Sequence, residues 1–385
     1  MKWFFLCVCS LLSIELSAQS WCPKADFGGV GRHRCSGFSI GNKGYVGIGH
    51  MNGSGVNIVY QDWWQFDPAS NSWTQKADYA NGIPNYAAIA FSTSTKGYIG
   101  GGVFLSNEFY CYDPVLNTWT ATAPCLESLS DQTAFSINDK GYVIGSTALI
   151  EYNPTSDSWM YKQNLPFGFG AWGSSFVIDG SAFIKSQNSL FEYKASQDMW
   201  LVRASFPGLA TSGSSAFTSH GKGYIVTGYS GSLANVTKEV WEFNPATNTW
   251  LQKDDFEGSG RRFSVGFSIG ERGYFGMGTN GINFNDFWAF DYFTETENLD
   301  PLQVACTTYP NPAVSTVHFQ LSDAIGEDTW TLSIVNTLGE VIQTTNQSGK
   351  DAQFNRENLP NGTYYFQVIQ AGQVRFSDAF QLTGL

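Results

Sequence analysis

The chain has 385 residues, 42% of them hydrophobic, 16% aromatic and only 14% charged, with a formal net charge of −12. Such a composition can bury a core, which excludes intrinsic disorder, and an acidic chain without a long basic run is a poor partner for nucleic acid. Its 41 glycines, 13 tryptophans and 30 phenylalanines favour many short strands joined by tight turns, and the length fits two or three domains of ~100–200 residues.

The N-terminus places a basic Lys2 before an apolar stretch from Phe4 to Leu16 and a small-residue end at Leu16-Ser17-Ala18. This is the layout of a secretory signal peptide over residues 1–18, too short for the ~20 residues of a transmembrane helix. No other segment reads as membrane-spanning. Export would permit disulfides among Cys22, Cys35, Cys111, Cys125 and Cys306. Two bridges or five unpaired thiols both fit, and the spacing disfavours zinc.

A repeat follows. Lys43-Gly44-Tyr45 returns as Lys96-Gly97-Tyr98, Lys140-Gly141-Tyr142, Lys222-Gly223-Tyr224 and Arg272-Gly273-Tyr274, with a degenerate copy at Ala182-Phe183-Ile184. An aromatic and, seven positions on, a tryptophan come next: Phe66/Trp73, Tyr112/Trp119, Tyr152/Trp159, Tyr193/Trp200 and Phe243/Trp250. Each unit predicts four strands, a to d, with a turn such as Asp67-Pro68-Ala69-Ser70-Asn71 between c and d. Glycines ending strand b predict a close backbone approach there. The tryptophans read as packing between units rather than as a ligand platform.

The sixth unit lacks its tryptophan strand, and the start of the mature chain supplies one. Ser20-Trp21-Cys22-Pro23-Lys24 aligns with Thr249-Trp250-Leu251-Gln252-Lys253, so the N-terminal strand is expected to close the last unit and remove its open edge. The glycine-ended strand b and the aromatic-x6-Trp pattern resemble Kelch repeats over roughly Ser20 to Tyr292, although only Gly100-Gly101-Gly102 keeps a glycine doublet. The resemblance implies a six-bladed β-propeller over residues 19–293.

A polar linker is expected over 294–302. Beyond it, alternating stretches at Thr316–Leu321, Thr329–Asn336, Glu340–Thr345, Tyr364–Ile369 and Gln373–Leu382 predict a small Ig-like β-sandwich over 303–385. The fold class is therefore all-β throughout. Tyr309-Pro310-Asn311-Pro312, Asn336-Thr337-Leu338-Gly339-Glu340-Val341 and Leu359-Pro360-Asn361-Gly362-Thr363-Tyr364-Tyr365 occur in order. In this the segment resembles the C-terminal sorting domain of bacterial type IX secretion cargo. The resemblance implies recognition by an outer-membrane translocon, removal by a sortase, and release or anchoring at the surface of a Gram-negative bacterium. An accessory sandwich that binds ligand or spaces the propeller is the alternative.

No HExxH, P-loop, GxSxG or EF-hand loop occurs, and a copper radical site like that of galactose oxidase lacks its tyrosine–histidine constellation. No metal or cofactor is expected. In a propeller the d–a and b–c loops share the face around the channel mouth. Six and five positions before the strand-a phenylalanines stand Arg32/His33, Asn85/Tyr86 and Arg261/Arg262. Arg32, Arg34, Arg261 and Arg262 are four of the six arginines of the propeller. They are expected either to hold a carboxylate bidentately or to pair with Asp26, Glu257 or Asp286. Asp131 and Trp172, four positions before their phenylalanines, could add an acid and a stacking surface. The reading is a non-catalytic glycan- or protein-binding module with ligand contacts at Arg32, His33, Arg261, Arg262, Asn85, Tyr86 and Trp172. The alternative is a sugar-converting enzyme resembling Kelch-type sialic acid mutarotases, with Asp131 and His33 as the acid and base.

Overall fold

The computed structural model describes residues 21–53, 55–166, 168, 172–290, 306–322, 329–337, 340–370 and 373–384. The expected signal peptide and linker lie outside the described residues. The chain divides into two compact units, Met1–Phe293 and Thr294–Leu385, and no helix among the described residues is long and apolar enough to cross a membrane.

Six four-stranded antiparallel sheets make up the first unit. Blade 1 consists of Ser36–Ile40, Lys43–Gly47, Trp63–Asp67 and Ser72–Lys76, as strands a to d. Its b–c connection carries an extra hairpin, His50–Gly53 with Val56–Val59. Blades 2 to 5 repeat the pattern from strands a at Ile89–Ser92, Ala134–Ile137, Ser174–Ile178 and Ser215–Ser219. Blade 6 takes Val265–Ile269, Arg272–Gly276 and Phe287–Phe290 from the end of the unit and Trp21–Pro23 from its start, with Trp21 opposite Phe290. Each strand a packs beside the next, and the strand of blade 6 packs beside that of blade 1, so the ring closes.

The repeat residues are the contacts between blades. A Cβ on Gly97 would stand 1.9 Å from the Phe38 ring of the preceding blade, and one on Gly141 would stand 2.1 Å from Phe91. Gly44 meets Phe267, Gly223 meets Phe176 and Gly273 meets Phe217 in the same way. Glycine recurs because a neighbouring ring lies on the backbone. The strand-d tryptophans stitch the same seams: Trp73, Trp119, Trp159 and Trp250 donate their indole N–H to the carbonyls of Ala25, Ala77, Ala123 and Ala204, at 2.8–3.0 Å. Asn71, Asn117, Asp157 and Asn248 sit in the left-handed turns between c and d. Their side chains accept the backbone N–H of those same four alanines. One turn residue thus sets both the hairpin and the spacing of adjacent blades.

The second unit has a three-stranded sheet (Cys306–Tyr309, Thr316–Leu321, Asp351–Asn355) and a four-stranded sheet (Val341–Gln347, Trp330–Val335, Gly362–Gln370, Gln373–Leu382). Val317, Phe319 and Phe354 from one sheet share a core with Trp330, Phe366 and Phe380 from the other. Two of these strands, Cys306–Tyr309 and Asp351–Asn355, have no counterpart in the sequence reading; the first buries only Cys306, and the second alternates over only five residues, with Ala352 and Phe354 inward. The described cysteines Cys22, Cys35, Cys111, Cys125 and Cys306 are all free thiols.

Candidate functional site

Around the channel mouth, the residue four positions before each strand-a phenylalanine takes the same unusual conformation. Arg34, Ala87, Asp131, Trp172, Gly213 and Phe263 all have φ between +54° and +71°. For the five that are not glycine this left-handed geometry costs on the order of 1 kcal/mol each. What holds it is a cycle of backbone hydrogen bonds from blade to blade. Ala87 donates to Arg34, Asp131 to Ala87, Trp172 to Asp131, Gly213 to Trp172, Phe263 to Gly213, and Arg34 to Phe263, at 2.7–3.2 Å.

These six residues ring a cavity of about 130 Å³. The next residue in each blade, Cys35, Ala88, Gln132, Gly173, Ser214 and Ser264, lines both this cavity and the 220 Å³ of channel below it. The charged pair in the cavity is Arg34 and Asp131, with a guanidinium nitrogen 3.5 Å from a carboxylate oxygen. The Arg34 guanidinium also lies 4.6 Å from the Phe263 ring centre and 5.6 Å from that of Trp172. Burial raises the Asp131 pKa above the usual carboxylate range, and Arg34 and the Trp172 indole N–H offset part of that rise. The indole N–H does so without a hydrogen bond of good geometry. Arg34 Nε, Ser214 Oγ and Ser264 Oγ are buried with no hydrogen-bond partner among the described residues.

The residues singled out in the sequence separate into three groups. Asp131 and Trp172 line the cavity. Tyr86, His33 and Arg262 stand at its rim: Tyr86 lies 6.0 Å from the Arg34 guanidinium and stacks on His50 at 4.5 Å. His33 lies 6.0 Å from the Phe263 ring, and Arg262 donates to the Leu233 carbonyl with its guanidinium 5.7 Å from the same ring. His33 is buried and its pKa falls to about 4, through burial first, with His50, Arg34 and Arg262 adding to the fall and Asn52 opposing it.

For the third group the expectation of ligand contact is corrected. Arg32 and Arg261 are fully buried, each in a bidentate pair, with Asp62 and Asp286 respectively. Each also donates to a backbone carbonyl of strand b's end, Ile48 or Met277, and lies over a ring, Tyr60 at 3.6 Å or Phe284 at 4.0 Å. The indoles of Trp64 and Trp288 donate to the same two carboxylates. A buried guanidinium needs such a carboxylate, and the motif Asp-x-Trp at the start of strand c supplies it twice. Asn85 is likewise spent: its amide donates to Gly101 O at 2.8 Å and its oxygen accepts from Tyr86 N and Phe104 N. Sequence reasoning passed over Phe263, Ser214 and Ser264; the position four before the strand-a phenylalanine, read in all six blades, would have found the ring. Among the described residues no group of three or more histidine, cysteine or acidic side chains could hold a metal.

Residues 307–377 match the family described as "Secretion system C-terminal sorting domain". The second unit therefore carries a tail of the kind that directs secretion or cell-surface export. The chain is 27% identical over 160 residues to Kelch-like protein 35 of Mus musculus, covering 39% of this chain and 26% of that one. It is 26% identical over 169 residues to N-acetylneuraminate epimerase of Shigella flexneri, covering 43% of this chain and 44% of that one. The enzyme of that name from Escherichia coli K12 matches at the same identity and coverage. The chain thus spans less than half the length of the curated relatives it matches. The solved structure titled "Structure of YjhT" superposes with a TM-score of 0.60 at 14% identity, covering 71% of this chain and 98% of that one. The chain has Kelch-like relatives, the fold of a Kelch-type β-propeller, and a C-terminal sorting domain.

Proposed function

We propose that the propeller binds a carboxylated ligand, an acidic sugar or a glycan that ends in one, at the channel mouth without turning it over. The C-terminal unit would deliver it to the outer surface of a Gram-negative cell after a signal peptide has been removed. The observation that supports this reading is the set of unpartnered donors on one cavity: Arg34 Nε, Ser214 Oγ and Ser264 Oγ. Buried polar groups are normally satisfied, so those left over in a cavity point to a ligand that completes them. A cation with unpartnered donor groups suits a carboxylate. The Trp172 and Phe263 rings beside it suit the flat face of a sugar.

A binding screen of the full chain against acidic and neutral glycans and carboxylated peptides tests the reading. Acidic ligands should bind, and Arg34→Ala should abolish their binding; binding indifferent to that substitution overturns the site.

A second reading has its own support. The relative named N-acetylneuraminate epimerase acts on a carboxylated sugar, and the raised pKa of Asp131 brings that carboxyl nearer the range of a general acid. Anomer or epimer interconversion followed by NMR, in the native chain and in Asp131→Asn, separates the two. Interconversion that disappears in the variant favours the enzyme.

A further inference from the structure

Arg356 in the sandwich is 4% exposed, and its partners among the described residues are carbonyl and amide oxygens rather than a carboxylate. Nε donates to Leu359 O at 2.8 Å, and Nη1 to Val314 O, Gly384 O and Thr383 O at 3.1–3.4 Å. Nη2 donates to Asn361 Oδ1 at 2.7 Å. Guanidinium cannot shed its charge, so burying it on dipoles alone is costly. What it provides in return is a rigid fork of five donors that can gather oxygens from separate stretches of chain.

Three stretches meet on that fork: residues 311–315, 356–361 and 381–384. Backbone bonds reinforce the junction, with Ala313 N donating to Gln381 O, Thr383 N to Ala313 O and Arg356 N to Ser315 O, each at 2.8 Å. Asn311 Oδ1 accepts from Gln381 N at 2.9 Å. The Tyr-Pro-Asn-Pro and Leu-Pro-Asn-Gly motifs, some fifty residues apart in the sequence, are therefore two sides of one end of the sandwich, and the last residues of the chain are the third.

The outside of this end is unlike the rest of an acidic chain. Residues 309–315, 358–363 and 379–384 contain no charged side chain. Pro312, Pro360, Asn361 and Thr383 are exposed, and Val314 is 56% exposed. An uncharged surface whose backbone is already fixed by prolines and by a buried clasp is suited to protein docking, because interface cores are depleted of charge and preorganisation lowers the entropy lost on binding.

We propose that the secretion machinery reads this composite end, assembled over Arg356 and presenting Val314, Pro360 and Thr383 together, and not a linear C-terminal peptide. The proposal rests on the export reading of the second unit. The match to the sorting-domain family spans both motifs, and the two meet here, which commits the surface to a protein receptor of that machinery.

The test uses the full chain produced in a bacterium that has such a secretion system, with the delivered and cell-retained fractions measured separately. Val314→Asp places a charge on an exposed side chain of this end and keeps the backbone carbonyl that Arg356 holds, and Arg356→Gln opens the clasp. Val341→Asp places the same charge on an exposed position of the other sheet, at 63% exposure. Val314→Asp and Arg356→Gln should each reduce delivery by at least about tenfold, as loss of ~1.4 kcal/mol of binding would, while Val341→Asp is delivered like the native chain. Normal delivery of Val314→Asp overturns the proposal, as does an equal loss from Val341→Asp. If Arg356→Gln fails to fold, the unchanged melting temperature expected of Val314→Asp keeps the test decisive. A chain lacking 306–385 is the control for the export reading itself: its normal delivery would refute that reading, whereas its retention beside a delivered Val314→Asp refutes only the composite end.

Discussion

The backbone N–H of Arg34 donates to the carbonyl oxygen of Phe263 at 3.0 Å, joining a residue near the start of the propeller to one near its end. This bond turns five blade-to-blade contacts into a cycle, and it fixes the residue whose guanidinium meets Asp131. Closure of the ring and placement of the binding cation are one event. The strand pairing of Trp21 with Phe290 completes blade 6 itself, with the Trp21 ring packed against Phe217 of blade 5.

Arginines of the same sector should divide by role. Arg34→Ala removes a partly exposed, loosely paired cation and should change stability by less than about 1 kcal/mol while abolishing binding of acidic ligands. Arg261→Ala leaves Asp286 without its buried partner and should cost about 3–5 kcal/mol. At a temperature where it remains folded it should bind ligand normally. Chemical denaturation and calorimetric titration of both variants check this.

The raised pKa of Asp131 gives binding a pH dependence. A carboxylated ligand is repelled by the ionised Asp131 and competes with it for Arg34. Affinity should therefore rise as pH falls through the elevated pKa of Asp131, as long as the ligand itself stays ionised. Asp131→Asn should bind about tenfold more tightly at neutral pH and show a flat profile; titrations from pH 7 to pH 4.5 distinguish the two curves.

His33 should make the propeller acid-sensitive. Its folded-state pKa lies near 4 against 6.5 for the free side chain, so between those values the unfolded chain takes up a proton that the folded one does not. Stability is complete above about pH 6.5 and declines as pH falls towards 4, by on the order of 3 kcal/mol. His33→Gln should flatten that decline in melting temperature measured across the same window.

The same sign, over a higher pH window, is expected for Lys185, buried with its amine donating to Ala210 O at 2.7 Å and a pKa lowered by burial to about 7. Here stability should rise as pH increases from about 7 towards the free lysine value of 10.5. Lys185→Met should remove that slope in denaturation curves taken from pH 6 to pH 10.

Gly97→Ala should destabilise the unit by about 1–3 kcal/mol, since its Cβ would overlap the Phe38 ring and force the two blades apart. At the equivalent position blade 4 carries Ala182, which packs with Phe135 in the core of its own seam, so Ala182→Gly should cost no more than about 1 kcal/mol. Urea unfolding of the two variants compares them directly.

The blades were legible because their information is local and repeated. Lys-Gly-Tyr specifies where a neighbouring ring lies on the backbone, and the turn Asn or Asp with its following Trp specifies how adjacent blades are stitched. Even the closing strand was visible, since Trp21 to Phe27 copies Trp250 to Phe256. The site was less so. Arg32 and Arg261 stand out by residue type, yet Asp62 and Asp286, 30 and 25 residues further along, take both guanidiniums inward; Asp286 was among the partners the sequence offered, but its spacing does not decide between pairing and ligand contact.

Chain chemistry by itself determined the repeat, the number of blades, the closing strand and the sorting-type motifs, because each depends on residues near one another or on a pattern written several times. Tertiary structure alone decided which polar groups remain available. Whether an arginine is spent or offered depends on which carboxylate reaches it once six blades have closed. Only the closed ring brings Arg34, Asp131, Trp172, Ser214, Phe263 and Ser264, from five different blades, around one cavity.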